Sequence, residues 1–150
     1  MLKSIKSFFE AHLAEETEDP ADQLHQTNLA SAALMVEVMN SDHELDEREM
    51  SAILEVLQRT FEVSDDELEE LLRLARSEAQ QATSLYEFTR LINDNFEYEK
   101  KCELVKNMWR IAFADEHLDK YEEHLIRRVS ELIYVSHSDF IRTKLQVRDA

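Results

Sequence analysis

Glycine is absent from this chain, proline occurs once, at Pro20, and cysteine once, at Cys102. Tight β-turns, bulges and phosphate-cradling loops depend on the residue that has no Cβ. Its absence argues against strand-rich folds and against the glycine-rich nucleotide sites of Rossmann, P-loop and kinase type. A single cysteine cannot form an internal disulfide and fits a reducing compartment, so a cytoplasmic location is expected. Cys102 falls in a helical apolar pattern with Val105 and Trp109, which predicts a buried structural thiol. No apolar run approaches the ~20 residues of a membrane span. The opening MLKSIKSFFEAHLAEE turns acidic before the apolar region of a leader develops, so no cleaved signal peptide is expected.

Positive charge is scarce as well. Seventeen basic residues stand against 33 acids, for a formal net charge of -16. Such a surface repels nucleic-acid phosphates and anionic headgroups, so no nucleic-acid partner is expected. Cations, basic protein surfaces and further copies of the chain remain as partners. What the chain has in quantity is helix formers: Leu, Glu, Ala, Lys and Arg. With 43% hydrophobic residues in 150, one domain can bury a real core.

Helical periodicity runs almost end to end and predicts eight helices with short polar connections. The first covers about residues 2–14, with Leu2, Ile5, Phe9 and Leu13 on one face, followed by an acidic linker, 15–19. Asp19 then caps a helix with Pro20 at its first position, running to about Asn40. Asp46 opens the next, to about Thr60, and Ser64 with Glu67 forms a capping box for another, to about Gln80. Ser84 with Glu87 starts a helix to about Asp94, and a long one spans about Phe96 to Ala114. Asp119 opens a helix to about Ile133, and Ser136 with Asp139 caps the last. Residues 1–19 thus form an amphipathic helix and linker, and 20–150 the helical domain. Leu2, Ile5, Phe8 and Phe9 lie beside Lys3 and Lys6 on the first helix. Packing on the domain or on a partner subunit is expected there over membrane contact, because two lysines attract lipid weakly.

The most informative feature is an internal repeat. Shifted by 73 residues, SDHELDEREMSAI (41–53) lies on ADEHLDKYEEHLI (114–126). Identities fall at Asp42/Asp115, Leu45/Leu118, Asp46/Asp119, Glu49/Glu122 and Ile53/Ile126, and Met35/Met108 extends the match upstream. After one deleted residue, Val63-Ser64 lies on Val135-Ser136. A duplicated helix–loop–helix unit predicts an all-α bundle whose two halves pack about a pseudo-twofold axis.

The repeated acids occupy particular helix positions. Met35, Met39 and Asp42 share one helix face, as do Met108, Ala112 and Asp115. Beyond the loops, Glu49, Ile53 and Leu57 share a face, and so do Glu122, Ile126 and Val129. Four carboxylates therefore end four apolar stripes and point toward the edge of the core. Crowded carboxylates repel each other and resist desolvation, and a divalent cation would neutralise them. Oxygen donors favour Ca²⁺, Mg²⁺ or Mn²⁺, while His43 and His117 in the loops would tilt the choice toward Mn²⁺ or Zn²⁺. A second reading needs no metal. Asp46 with Glu49 and Asp119 with Glu122 have capping-box spacing, with Asp in place of Ser or Thr. Capping leaves Asp42 and Asp115 unexplained.

These loops resemble the paired signature of the tellurite-resistance TerB family, an alanine–aspartate–glycine turn with a glutamate seven residues after the aspartate. Here the matching residues are Ser41-Asp42-His43 with Glu49 and Ala114-Asp115-Glu116 with Glu122. ATSLYEFTRLI (82–92), LDKYEEHLIRRV (118–129) and VSHSDFIRTKL (135–145) are similar to a stand-alone bacterial branch of that family. The resemblance covers about residues 22–146 and departs from the signature at the turn glycine, replaced by His43 and Glu116. It implies an all-helical fold with a pseudo-twofold, acids proposed to bind metal, and a role in tellurite resistance and stress response.

Enzymatic readings find little support. No H-E-x-x-H occurs, no histidine follows a glutamate by three residues, and scattered histidines suggest no triad. Loops beginning at Asp42 and Asp115 place Ile53 and Ile126 where an EF-hand needs its twelfth-position acid. Paired carboxylates without a cleft of stacking aromatics do not point to glycoside hydrolysis. The competing function is a metal-free interaction module, with Phe8, Phe9, Met35, Met39, Tyr98 and Trp109 lining a groove for a partner helix, although large apolar residues at helical spacing are usually core and most of these are expected there.

Overall fold

At Asp19 the chain turns into its longest helix. The Asp19 Oδ1 accepts from the Ala21 N–H at 3.0 Å, and Pro20 fills the first helical position, where no N–H is needed. The computed structural model describes residues 10–11, 13, 18–42, 47–61, 63–78, 83–114 and 120–149. Among them lie seven helices and no strand: α1 (Pro20–Asp42), α2 (Glu47–Phe61), α3 (Asp65–Glu78), α4 (Thr83–Asn95), α5 (Tyr98–Ala114), α6 (Lys120–Leu132) and α7 (His137–Arg148). Most of the expected first helix falls outside the described residues. Within it Glu10 and Ala11 are helical, and Leu13 is buried in the core.

Helix α1 is the spine. Every residue from Leu29 to Met35 is buried, so the helix is enclosed on all sides there, as a helix that is apolar all round should be. Three of these are alanines, which let neighbouring backbones approach closely. Ser31 is satisfied by donating to the Thr27 carbonyl at 2.8 Å. Helices α2 to α6 all pack on α1. The other central helix, α5, also packs against α2, α6 and α7. The outer helices bury single stripes: Leu54 and Leu57 from α2, Phe88 and Ile92 from α4, Leu125, Ile126 and Val129 from α6. These spacings of one, three and four residues are those of a helix with one core face.

Helix α6 ends without glycine. The Val135 N–H donates to the Ser130 carbonyl at 2.8 Å and the Tyr134 N–H to that of Glu131 at 3.3 Å, a Schellman closure. Tyr134 takes the left-handed position with φ of 61°. Asn93 of α4 donates its Nδ2 to the Leu132 carbonyl at 3.0 Å, satisfying another helix-end acceptor. One sequence expectation needs correction here. Helix α4 already begins at Thr83, so Ser84 lies inside it and not at its cap.

Candidate metal centre

Three of the four acids singled out by the repeat stand at helix ends. Asp42 is the last residue of α1 and Glu49 the third of α2. Glu122 is the third residue of α6, and α5 ends at Ala114, immediately before Asp115. Asp115, His43, Asp46, His117 and Asp119 lie outside the described residues, as do the side chains of Asp42, Glu49 and Glu122. The stripes leading to these acids are described. Met35, Leu57, Met108, Ile126 and Val129 are all buried, and Ala112 is partly buried against the core. The faces that terminate on the acids are therefore core faces. Among the described residues, no group of three or more His, Cys, Asp or Glu could hold a metal ion.

Two neighbouring helix starts show what an acid at this position does. Helix α3 begins with a reciprocal capping box: the Ser64 N–H donates to Glu67 Oε1 at 3.0 Å and the Glu67 N–H to Ser64 Oγ at 3.2 Å. The second Glu67 oxygen reaches across to His25 Nε2 of α1 at 2.6 Å. Burial pushes the Glu67 carboxyl up, but the hydrogen bonds from Ser64 and His25 outweigh it and hold it below its ordinary value. Helix α7 keeps half of this pattern. Ser136 is its N-cap, accepting from the Asp139 N–H, while the Asp139 carboxylate turns to Tyr98 of α5 and to Arg142 of its own helix. Asp139 Oδ2 accepts from Tyr98 Oη at 2.5 Å and Oδ1 from Arg142 Nε at 2.9 Å. Those two bonds hold the Asp139 carboxyl below its usual range, and the same hydrogen bond raises the Tyr98 phenol. Glu67 and Asp139 are each the third residue of their helices, the place that Glu49 and Glu122 hold in α2 and α6. The positive end of the helix dipole suits a carboxylate at all four.

The Tyr98–Ser136–Asp139–Arg142 cluster was not legible in advance as a unit. Ser136 and Asp139 carried a cap signal, but nothing local ties them to a tyrosine 38 residues upstream, whose Oη accepts from the Ser136 N–H at 3.1 Å. The same holds for Asn107 of α5, which donates to Asn28 Oδ1 at 3.1 Å and Ser31 Oγ at 3.2 Å of α1. Arg110 also donates to Asn107 Oδ1. Two of the residues named for a partner groove belong to the core, as their helical spacing predicts. Met35 and Trp109 are core residues at 1% and 3% exposure, and the Trp109 ring packs 5.2 Å from that of Phe140. Of the residues named for that groove, Tyr98 is exposed; Phe8 and Phe9, with the Met39 side chain, lie outside the described residues. Cys102 is buried as its pattern predicts, and burial raises its thiol pKa.

A family model described as tellurite resistance protein TerB matches residues 28–145, well over half of the chain. No curated protein and no solved structure matches it.

Proposed function

Because the chain belongs to the tellurite-resistance TerB family, we propose that it is a non-enzymatic domain binding one divalent cation between its two halves, in a role linked to tellurite resistance and stress response. Asp42, Glu49, Asp115 and Glu122 would hold the ion, with His43, Asp46, His117 and Asp119 as further donors from the loops. The donor set is carboxylate oxygen, which suits Ca²⁺, Mg²⁺ or Mn²⁺ before Zn²⁺. The ion would supply charge neutralisation and a cross-link between helix ends.

One observation carries this reading. The acid at the third position of α3 caps its own helix with one oxygen and binds a residue of another helix with the second. Capping and ligation are therefore compatible at this position, and Glu49 and Glu122 can do both. The pairing of helices supports a duplication. Helix α1 packs on α2 and α3, which pack on each other, and α5, α6 and α7 repeat that set. The cross-contacts also exchange, α1 with α6 and α5 with α2. A pseudo-twofold relating the halves would bring the paired acids to one place. The proposal extends to a cytoplasmic protein without nucleic-acid partners, given the charge of -16 and the single buried thiol. None of the described helices is long and apolar enough to cross a membrane.

Thermal melting of protein purified without chelator tests the reading. A ligand that binds only the folded chain stabilises it by about 2.7 kcal/mol at ~100 times its dissociation constant. For a chain of this size that is roughly 5–10 °C in melting temperature. The rise is expected with Ca²⁺ or Mn²⁺ and should be reversed by chelator. Asp115→Asn should abolish the response while changing the metal-free melting temperature little. Glu122→Gln keeps capping geometry, because glutamine serves there too, so its loss of response reports lost ligand charge. If the parent and both variants melt identically with and without each ion, the acids are helix caps and the protein is a metal-free interaction module.

A further inference from the structure

Charge is distributed unevenly along the chain. Residues 98–150 contain ten acids and ten bases, so the entire net charge of -16 resides in residues 1–97. Two copies approaching through the acidic half repel each other. The balanced half contains α5, α6 and α7, and it carries a groove of about 400 Å³ between α5 and α7. Glu99, Glu103 and Lys106 line it from α5, and Arg142 and Gln146 from α7. Arg142 and Gln146 also border a more open depression on the outer face of α7, which contains Ile141 and Leu145. Leu145 is 38% exposed and Tyr98, at the groove's end, 43%.

Both signs of charge share this face. Arg142 commits its Nε to Asp139 at 2.9 Å, yet 49% of its side chain stays exposed. Glu103 meets Arg110 only at 4.0 Å, with 52% of its side chain exposed, and Glu99 is exposed as well. An acidic foreign helix would meet Glu99 and Glu103 here, and a basic one would meet Lys106 and Arg142. A twofold interface has a different requirement: each patch must complement itself, so that residue i meets j and j meets i. Ile141 and Leu145 on the outer side of α7, with Arg142 beside them and Glu99, Glu103 and Lys106 across the groove on α5, offer both an apolar contact and charges of either sign for it.

We propose that a second copy of this chain occupies this face, forming an isologous dimer. Helix α7 packs on α7 of the partner subunit through Ile141 and Leu145, and Arg142 of each chain faces Glu99 and Glu103 of the other. The dimer does not depend on a bound metal. At physiological salt, charges more than about 8 Å apart are largely screened, so the local match outweighs the distant net charge.

Sedimentation of the full chain over a concentration series tests this, with circular dichroism as the folding control. The parent should show a monomer–dimer equilibrium. Leu145→Glu, at an exposed position, and Arg142→Glu should each weaken it about tenfold or more, a loss of ~1.4 kcal/mol. Combining Arg142→Glu with Glu103→Arg should restore it, because the pair is exchanged across the interface. A parent that stays monomeric up to about 1 mM overturns the proposal and leaves the face to another partner or none. A dimer unaffected by Leu145→Glu overturns it too, because another face would then be in use.

Discussion

Replacing Tyr134 by glycine should stabilise this glycine-free protein relative to alanine at the same site. Tyr134 closes α6 at φ of 61°, the position at which helices ordinarily place glycine. The left-handed conformation costs an L-residue about 1–2 kcal/mol, which glycine avoids. Glycine in turn loses about 0.5–1 kcal/mol more than alanine through the freedom it gains when unfolded. The difference favours glycine over alanine by roughly 0.5–1 kcal/mol. The tyrosine ring adds little to set against this. It is 73% exposed, and Lys101 Nζ lies 5.9 Å from its centroid, a contact worth about 0.5 kcal/mol at an exposed site. Tyr134→Ala removes the ring but keeps the Cβ, so comparing the two variants isolates the backbone contribution. Tyr134→Gly should melt about 1–4 °C above Tyr134→Ala for a chain of this size. Urea titration should show a higher midpoint with an unchanged slope. A glycine variant that is no more stable than the alanine variant would refute the strained closure of α6.

Four further outcomes follow from the same geometry. Ser64→Ala should cost about 1 kcal/mol in urea melts, through loss of the α3 cap. The folded Glu67 carboxyl is depressed, so its contribution is present above the ordinary value of 4.5 and is lost as pH falls through the lower, folded value. Glu67→Gln should accordingly flatten the acid limb of a stability–pH curve, and an unchanged limb would discount the Ser64 and His25 bonds. Phe140→Ala removes a buried ring packed on Trp109 and should cost about 3–5 kcal/mol, with altered tryptophan fluorescence. Cys102, buried and with its thiol pushed up, should react slowly with a disulfide reagent when native and rapidly in denaturant.

The sequence by itself determined the helical content, the family and most helix boundaries. The reason is that caps and apolar faces are local: Asp19 with Ala21, Ser64 with Glu67 and Ser136 with Asp139 all act within three residues. The same spacing marked Cys102, Met108 and Ile126 for burial. Local reading failed where packing intervened. Phe96, expected to start α5, is instead buried in the turn before it, and α5 begins at Tyr98. Only the tertiary structure decided which polar groups meet. His25 reaches Glu67 over 42 residues, Tyr98 reaches Asp139 over 41, and Asn107 reaches Asn28 over 79. Each pairing depends on how two helices sit against one another, and helix periodicity carries no record of that. Periodicity specifies which face of a helix turns inward; the packing of that face against its neighbours then chooses the partners.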